Sequence, residues 1–221
     1  PKGKTILIDA GKPMVGPLID QYLNQMNVDK IDFVMPSHAH IDHIGGYLTL
    51  FKTKEIGKII ETSLPLESDI YNQYQQLIRE EDIHVEFGKK GDVIELEEDL
   101  VLEILSPAEE TIEAYLLFDN LSAGIVNDLS MVMKLTYKDK SFLFTGDIYS
   151  AVESQLVKSY GEKLDVDVLV APHHGMGTSS SNKFIEAVNP EITLIHTNLL
   201  IDQTVYDTYL NIVSEVFVSQ Q

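Results

Sequence analysis

Four residues able to bind a metal fall within six positions: His38, His40, Asp42 and His43, in the segment P-S-H-A-H-I-D-H-I-G-G from Pro36 to Gly46. In turn or extended backbone His38 and His40 project to the same side, because side chains two apart share a face. Asp42 and His43 follow where a helix can begin. Two imidazoles can therefore hold one ion while a carboxylate and a third imidazole hold a second, the arrangement that two-metal hydrolysis requires. Gly45-Gly46 lets the backbone pass close to such a site without a side-chain clash. A solvated polar turn is the plain alternative, and three His with one Asp at this spacing argue against it.

A second pair of imidazoles, His173-His174-Gly175, comes directly after the apolar run Asp167 to Pro172. Adjacent histidines at a strand's end, followed by Gly, again fit the edge of a site. Gly177 to Ser181 adds hydroxyls and amides near the next helix start, which suits an oxyanion or phosphate, although an ordinary N-cap loop has the same composition. His196 and Asn198 stand near the end of a further apolar run; packing at a strand end is the competing reading for His196. His84, in the short strand His84 to Phe87, reads as structural.

The elements that must position these groups alternate. Thr5 to Ile8 reads as a buried strand entering the turn Asp9-Ala10-Gly11. Pro17 to Asn27 predicts an amphipathic helix with Leu18, Tyr22, Leu23 and Met26 on its packed face. A strand at 31–35, the histidine turn and a helix from about Asp42 to Phe51 follow. A strand at 58–61, a helix from Glu67 to Glu81 and a hairpin of Val93 to Leu96 with Leu100 to Leu105 continue the α/β rhythm. Pro107 to Asp128 is irregular, and a connection of that length carries function or hides a short helix. Strands at 131–137 and 141–144 lead to Thr145-Gly146-Asp147 and a helix from Ile148 to Tyr160, for which Asp147 would serve as N-cap. Strands at 191–195 and 215–219 flank a last helix from Thr204 to Val213.

Composition bounds the rest. The 221 residues, 44% of them hydrophobic, suffice for a sizeable core in a single domain spanning 1–221. No apolar run reaches membrane-spanning length. The absence of Cys excludes thiolate ligands and disulfides, so His and carboxylates are the candidate ligands. It leaves the compartment open between cytosol and cell exterior. The chain begins at Pro1 rather than Met, as after processing or trimming. A formal charge of −19 offers no basic stripe for strong nucleic-acid binding. An anionic substrate stays compatible, since two divalent ions make a pocket locally positive while distant charges are screened beyond about 8 Å.

H-A-H-I-D-H resembles the H-x-H-x-D-H signature of metallo-β-lactamase-fold hydrolases, and N-D-L-S at 127–130, T-G-D at 145–147 and H-H-G at 173–175 match that family in order. The segments look most like the branch holding the metallo-β-lactamase-like domain of bacterial competence (DNA-uptake) channel proteins and the choline-phosphate esterases. The resemblance implies a four-layer αββα sandwich and a dinuclear metal hydrolase. His38 and His40 would hold the first ion, Asp42, His43 and His174 the second, and Asp147 would bridge them. Asp9 would support the metals from behind, with Asn127, Ser130, Ser179, Ser180 and His196 as further supporting or substrate-side groups. His173 would act with Asp42 in catalysis, unless His173 and His174 exchange roles.

Two departures stand out. The His that most of the family places before the T-G-D strand is not found between His84 and Asp147, and the branch's opening D-V-G-Q-G-D-like strand is absent, so the chain is expected to lack the fold's first strand. The implied cofactors are two divalent ions, with zinc favoured and manganese or iron compatible. A water on such ions is deprotonated near neutral pH, because its pKa falls from 15.7 to about 7. A phosphodiester or related small phosphoester is the expected substrate. A lactone, carboxylic ester or β-lactam is the alternative, and a non-catalytic binding module the third reading. Gly-x-Ser-x-Gly and Walker-type glycine loops are lacking, which removes the usual serine-hydrolase and P-loop signatures.

Overall fold

In the computed structural model, residues 3–62, 64, 66–118, 120–197, 201–213 and 215–220 are described; Asn198 lies outside them. Contacts divide the chain into two units, Pro1–Lys89 with Ala108–Val126, and Lys90–Pro107 with Asn127–Gln221. Among the described residues no helix is long and apolar enough to cross a membrane.

The first unit is built on a parallel sheet of four strands in the order β1-β2-β3-β4: β1 (Ile6–Ile8), β2 (Lys30–Met35), β3 (Glu55–Glu61) and β4 (Val85–Phe87). Parallel strands need crossover helices, and α1 (Gly16–Gln25), α2 (Ile41–Ile44), α3 (Tyr47–Thr53) and α4 (Asp69–Glu80) supply them. Ser68 caps α4 by accepting the Tyr71 N–H at 3.1 Å, and Tyr74, Leu77 and Ile78 form its buried face. The irregular stretch 107–128 does hold short helices, α5 (Glu109–Tyr115) and α6 (Ala123–Asp128). Ile31, Val34, Ile44, Tyr47, Leu50, Ile59 and Tyr74 make the core of this unit.

Two expectations need correction here. The helix expected from Asp42 to Phe51 is broken at Gly45-Gly46 into α2 and α3. A Cβ on Gly46 would lie 2.1 Å from the Ala10 carbonyl oxygen, and the Gly46 N–H donates to Gly11 O at 3.0 Å, so the chain bends to let the segment after β1 cross it. The packed face of α1 is also rotated from the one predicted. Leu18, Tyr22 and Met26 are 64%, 61% and 58% exposed, whereas Gly16 and Leu23 are buried and Ile19 packs on the core. Gly16 sets this rotation: a Cβ there would lie 2.6 Å from the Gly46 carbonyl oxygen, so only a bare backbone can approach α3 this closely.

The second unit carries a mixed sheet of seven strands: β5 (Val93–Glu97), β6 (Leu100–Ser106), β7 (Val132–Tyr137), β8 (Lys140–Phe144), β9 (Val168–Val170), β10 (Ile192–Thr197) and β11 (Glu215–Gln220). Their order is β11-β10-β9-β8-β7-β6-β5, antiparallel through the hairpins β5 to β8 and parallel from β8 to β11. Helices α7 (Ser150–Tyr160), α8 (Asn182–Val188) and α9 (Gln203–Ile212) make the parallel crossovers. Alternation shows plainly in β10, where Thr193, Ile195 and Thr197 are buried at period two. Asp147 is not the cap of the following helix. Tyr149 occupies that position without a side-chain cap, and the helix starts three residues later than Asp147.

A buried carboxylate ties this unit together. Glu153, fully buried on α7, accepts the N–H groups of Ser180 and Ser181, and the Ser181 bond is 3.0 Å. Burial raises its pKa above the ordinary carboxylate value, while the Ser181 and Ser180 bonds pull the other way.

Gly46→Ala should therefore lower unfolding stability by about 1–3 kcal/mol through overpacking against Ala10, read by urea denaturation; an unchanged midpoint would contradict the close crossing. Glu153→Ala should cost about 1–3 kcal/mol for each amide left unsatisfied. Because the folded chain holds the Glu153 proton more tightly than the unfolded chain, that group's contribution is fully present below the unfolded carboxyl pKa and is lost as pH rises through the raised folded value. A stability profile of Glu153→Ala that kept the wild-type slope across this window would contradict the assignment.

Candidate functional site

In the first unit the ligand turn Pro36 to His40 leaves the C-terminal end of β2, where open parallel sheets place their binding groups. Asp9, in left-handed backbone with φ 56°, turns its carboxylate into this loop. One oxygen accepts the Ser37 N–H at 2.7 Å; the other accepts the Ser37 hydroxyl at 2.9 Å and faces His43 Nδ1 at 2.8 Å. The neighbouring Ala10 N–H donates to the His43 carbonyl at 2.7 Å, fixing the backbone as well as the ring.

These contacts determine tautomers. A carboxylate only accepts, so His43 Nδ1 carries its proton toward Asp9 and Nε2 keeps the lone pair. Ser37 has one hydroxyl proton and gives it to Asp9, so toward His38 Nδ1, 3.0 Å away, the same oxygen accepts. His38 Nε2 then also keeps its lone pair. It faces His40 Nδ1 at 2.9 Å, and the rings of His38 and His43 lie 4.0 Å apart. A histidine whose far nitrogen is anchored and whose near nitrogen is aprotic is the form that binds a cation. Asp42 sits in the first turn of α2, half-buried and adjacent to His43. The donor set thus fits a divalent ion.

In the second unit Asp147 ends the loop after β8 and is 5% exposed. Its N–H donates to the hydroxyl of Ser130, itself fully buried, at 3.0 Å. One carboxylate oxygen lies 3.5 Å from His174 Nε2 and 4.0 Å from His173 Nε2. Both histidines adopt left-handed backbone, φ 48° and 56°, each at a cost of about 1–2 kcal/mol. The His173 N–H donates to the Gly146 carbonyl at 3.0 Å, tying the two loops together.

The two imidazoles are held differently. His174 Nδ1 lies 2.9 Å from the carbonyl of His196, which can only accept, so Nε2 is the aprotic nitrogen and faces Asp147. His173 places Nδ1 2.6 Å from the Thr178 hydroxyl, with its ring 5.0 Å from that of Tyr149. Asn127, nearly buried, donates to the Tyr149 hydroxyl at 3.0 Å and approaches His173 Nε2 at 3.5 Å. Asp128 accepts the Tyr149 N–H at 3.0 Å. His174 thus turns Nε2 toward Asp147, while His173 is held among hydroxyl and amide groups.

The serine-rich loop before α8 comes out otherwise than expected. Ser179 and Ser180 are buried, Ser179 donating to the Ile148 carbonyl at 2.7 Å and the Ser180 hydroxyl pairing with Tyr209 at 2.9 Å. The amides at the start of α8 already hold the Glu153 carboxylate, so the chain's own anion takes the place foreseen for a substrate anion. His196 acts through its backbone carbonyl on His174, while its ring faces the Ser219 hydroxyl at 2.7 Å. His84, largely exposed, faces Glu86 at 3.3 Å and belongs to neither cluster. Ser37 was missed; its only sequence signal is its place between Pro36 and the first ligand.

Comparison with known proteins identifies the family and the fold. The family model for the β-lactamase superfamily domain matches residues 4–194. ComE operon protein 3 of Bacillus subtilis is 26% identical over 174 residues, 79% of this chain but 21% of that protein, so the chain spans about a fifth of this relative's length. Among solved structures, the metallo-β-lactamase fold protein YhfI from Bacillus subtilis superposes with a TM-score of 0.59 at 14% identity, covering 97% of this chain and 84% of that one. A diphosphatase from the PhnP family gives 0.51 at 14% identity, covering 100% and 79%. With two α/β units, a histidine-rich turn after β2 and a family match across most of its length, the chain belongs to the β-lactamase superfamily and has the metallo-β-lactamase fold.

Proposed function

We propose that residues 1–221 form one hydrolase domain that uses two divalent cations to cleave a phosphodiester or related small phosphoester. The observation that carries this reading is the set of histidine anchors: Nδ1 of His38, His43 and His174 lies at hydrogen-bonding distance from the Ser37 hydroxyl, the Asp9 carboxylate and the His196 carbonyl. His38 and His40 would hold one ion, Asp42, His43 and His174 the other, with Asp147 shared. Imidazole and carboxylate donors without thiolate suit zinc, and manganese or iron are compatible. Such ions supply an acidified water and neutralise charge on phosphoryl oxygens.

The chain's own residues do the remaining work. Asp9 and Ser37 keep the imidazoles aprotic on the side that binds the cation. Asp42 contributes negative charge that balances it. His173, next to the Thr178 hydroxyl and tilted 44° to the Tyr149 ring, would give a proton to the departing oxygen. Support for phosphorus over carbon as the reacting centre comes from the similarity to a diphosphatase and from the competence-like motif order. The charge of −19 favours a small phosphoester over a long polyanion that would need a basic surface.

The test is metal analysis with turnover of bis(p-nitrophenyl) phosphate. Wild-type chain loaded with zinc or manganese should retain metal after desalting and hydrolyse the ester. Asp147→Asn should lose bound metal and at least about 100-fold in turnover. Ser37→Ala should weaken metal affinity by about 10- to 100-fold, the usual effect of removing a group that orients a ligand. Full activity of Asp147→Asn, or a wild-type chain that retains no metal, would contradict the proposal.

A further inference from the structure

Tyr149 stands two residues after Asp147, in the N-cap position of α7, and its backbone is fixed from both sides. Its N–H donates to Asp128 at 3.0 Å, and its carbonyl accepts the N–H groups of Val152 and Glu153 at 3.0 and 3.1 Å. The Ser150 N–H donates to the Thr178 carbonyl at 3.1 Å, which ties the same turn to the loop after His174. The Tyr149 ring lies 5.0 Å from that of His173, whose Nε2 is 4.0 Å from the Asp147 carboxylate.

The hydroxyl of this half-buried residue is only partly used. The Asn127 amide nitrogen donates to the phenol oxygen at 3.0 Å and approaches His173 Nε2 at 3.5 Å. Turning the amide over would place its NH2 where Oδ1 now sits, a buried spot that offers no hydrogen-bond partner among the described residues. An orphaned N–H is rarer in folded chains than an under-satisfied carbonyl oxygen, so the donating orientation is the favoured one. A phenol that accepts from Asn127 keeps its own proton, and among the described residues no acceptor faces that proton. Accepting one hydrogen bond also strengthens the one donated, because linked bonds polarise each other.

A solvated surface tyrosine is the plain reading of such a hydroxyl. It would need neither an asparagine that is 4% exposed on its oxygen nor a carboxylate on its amide. Fixed backbone and an oriented O–H are what a site supplies when charge develops on a substrate oxygen, since a donor already in place costs no reorganisation. In phosphoryl transfer that charge is spread over the equatorial oxygens.

We infer that the Tyr149 hydroxyl donates a hydrogen bond to a non-bridging phosphoryl oxygen of the substrate, as a catalytic residue beside His173. This rests on the proposed phosphoesterase reading.

The metal-loaded chain is assayed on methyl p-nitrophenyl phosphate and methyl phenyl phosphate, beside Tyr149→Phe, which keeps the ring and removes only the hydroxyl. The variant should retain its metal and lose about 10- to 100-fold in kcat/KM, the range for a hydrogen bond to a charged group. The loss should be the same on both esters, because a contact to a non-bridging oxygen is indifferent to the leaving group. Unchanged kcat/KM overturns the assignment. So does a markedly larger loss on the phenyl ester, whose poorer leaving group depends on protonation, since the hydroxyl would then act through His173. A variant that sheds its metal overturns it as well. If wild type cleaves neither ester, the phosphoesterase reading fails, and calorimetric titration of the metal-loaded chain with inorganic phosphate decides the contact separately. Affinity weakened by about tenfold or more in Tyr149→Phe supports the donor role; equal affinities, or no phosphate binding by wild type, overturn it.

Discussion

One carboxylate governs the ligand turn. Asp9 reaches across from the end of β1 and takes the Ser37 amide, the Ser37 hydroxyl and the His43 ring at 2.7 to 2.9 Å. Imidazole has two tautomers of similar energy, and only one leaves the nitrogen facing a cation without its proton. Asp9 removes that ambiguity for His43 directly and for His38 through the Ser37 hydroxyl. The backbone around it is shaped to allow this: Asp9 sits at φ 56°, Gly11 at φ 67°, and Gly46 has no Cβ where Ala10 passes. Strain and close packing at β1 thus serve to aim one side chain.

The second unit reaches a similar end with different means. There the acceptor that sets the His174 tautomer is a main-chain carbonyl on β10, and the left-handed backbone of His173 and His174 turns adjacent rings into different surroundings. Ser130 holds the Asp147 backbone, and Asn127 and Asp128 hold Tyr149 beside His173. The N-D-L-S segment therefore works as a clamp on the loops that follow β8 and β9. The buried Glu153 closes the loop before α8 from below, which keeps Ser179 and Ser180 facing inward.

Much of this was legible in the chain because it is local. The H-x-H-x-D-H run, the strand before it and the pattern of α4 depend on residues within one or two turns of each other, and spacing alone recovers them. Partners distant in sequence were not legible. Nothing around Ser180 announces that a glutamate 27 residues earlier takes its amide. The packed face of α1 looked like Leu18, Tyr22 and Met26 by apolar count, but Gly16 against Gly46 fixes the rotation, and a glycine contact leaves no trace in hydrophobic periodicity. Ser37 was invisible for the same reason: a serine after proline looks like any turn until Asp9, 28 residues earlier, is seen to hold it.

The central claim concerns where three protons reside, and nitrogen-15 NMR of the histidine rings reads them directly. In the metal-free chain at mildly alkaline pH, long-range proton–nitrogen correlations should show His38, His43 and His174 with the proton on Nδ1 and an aprotic Nε2. Protons found on Nε2 of His43 and His174 would contradict the account, because neither Asp9 nor the His196 carbonyl could then be orienting a metal ligand.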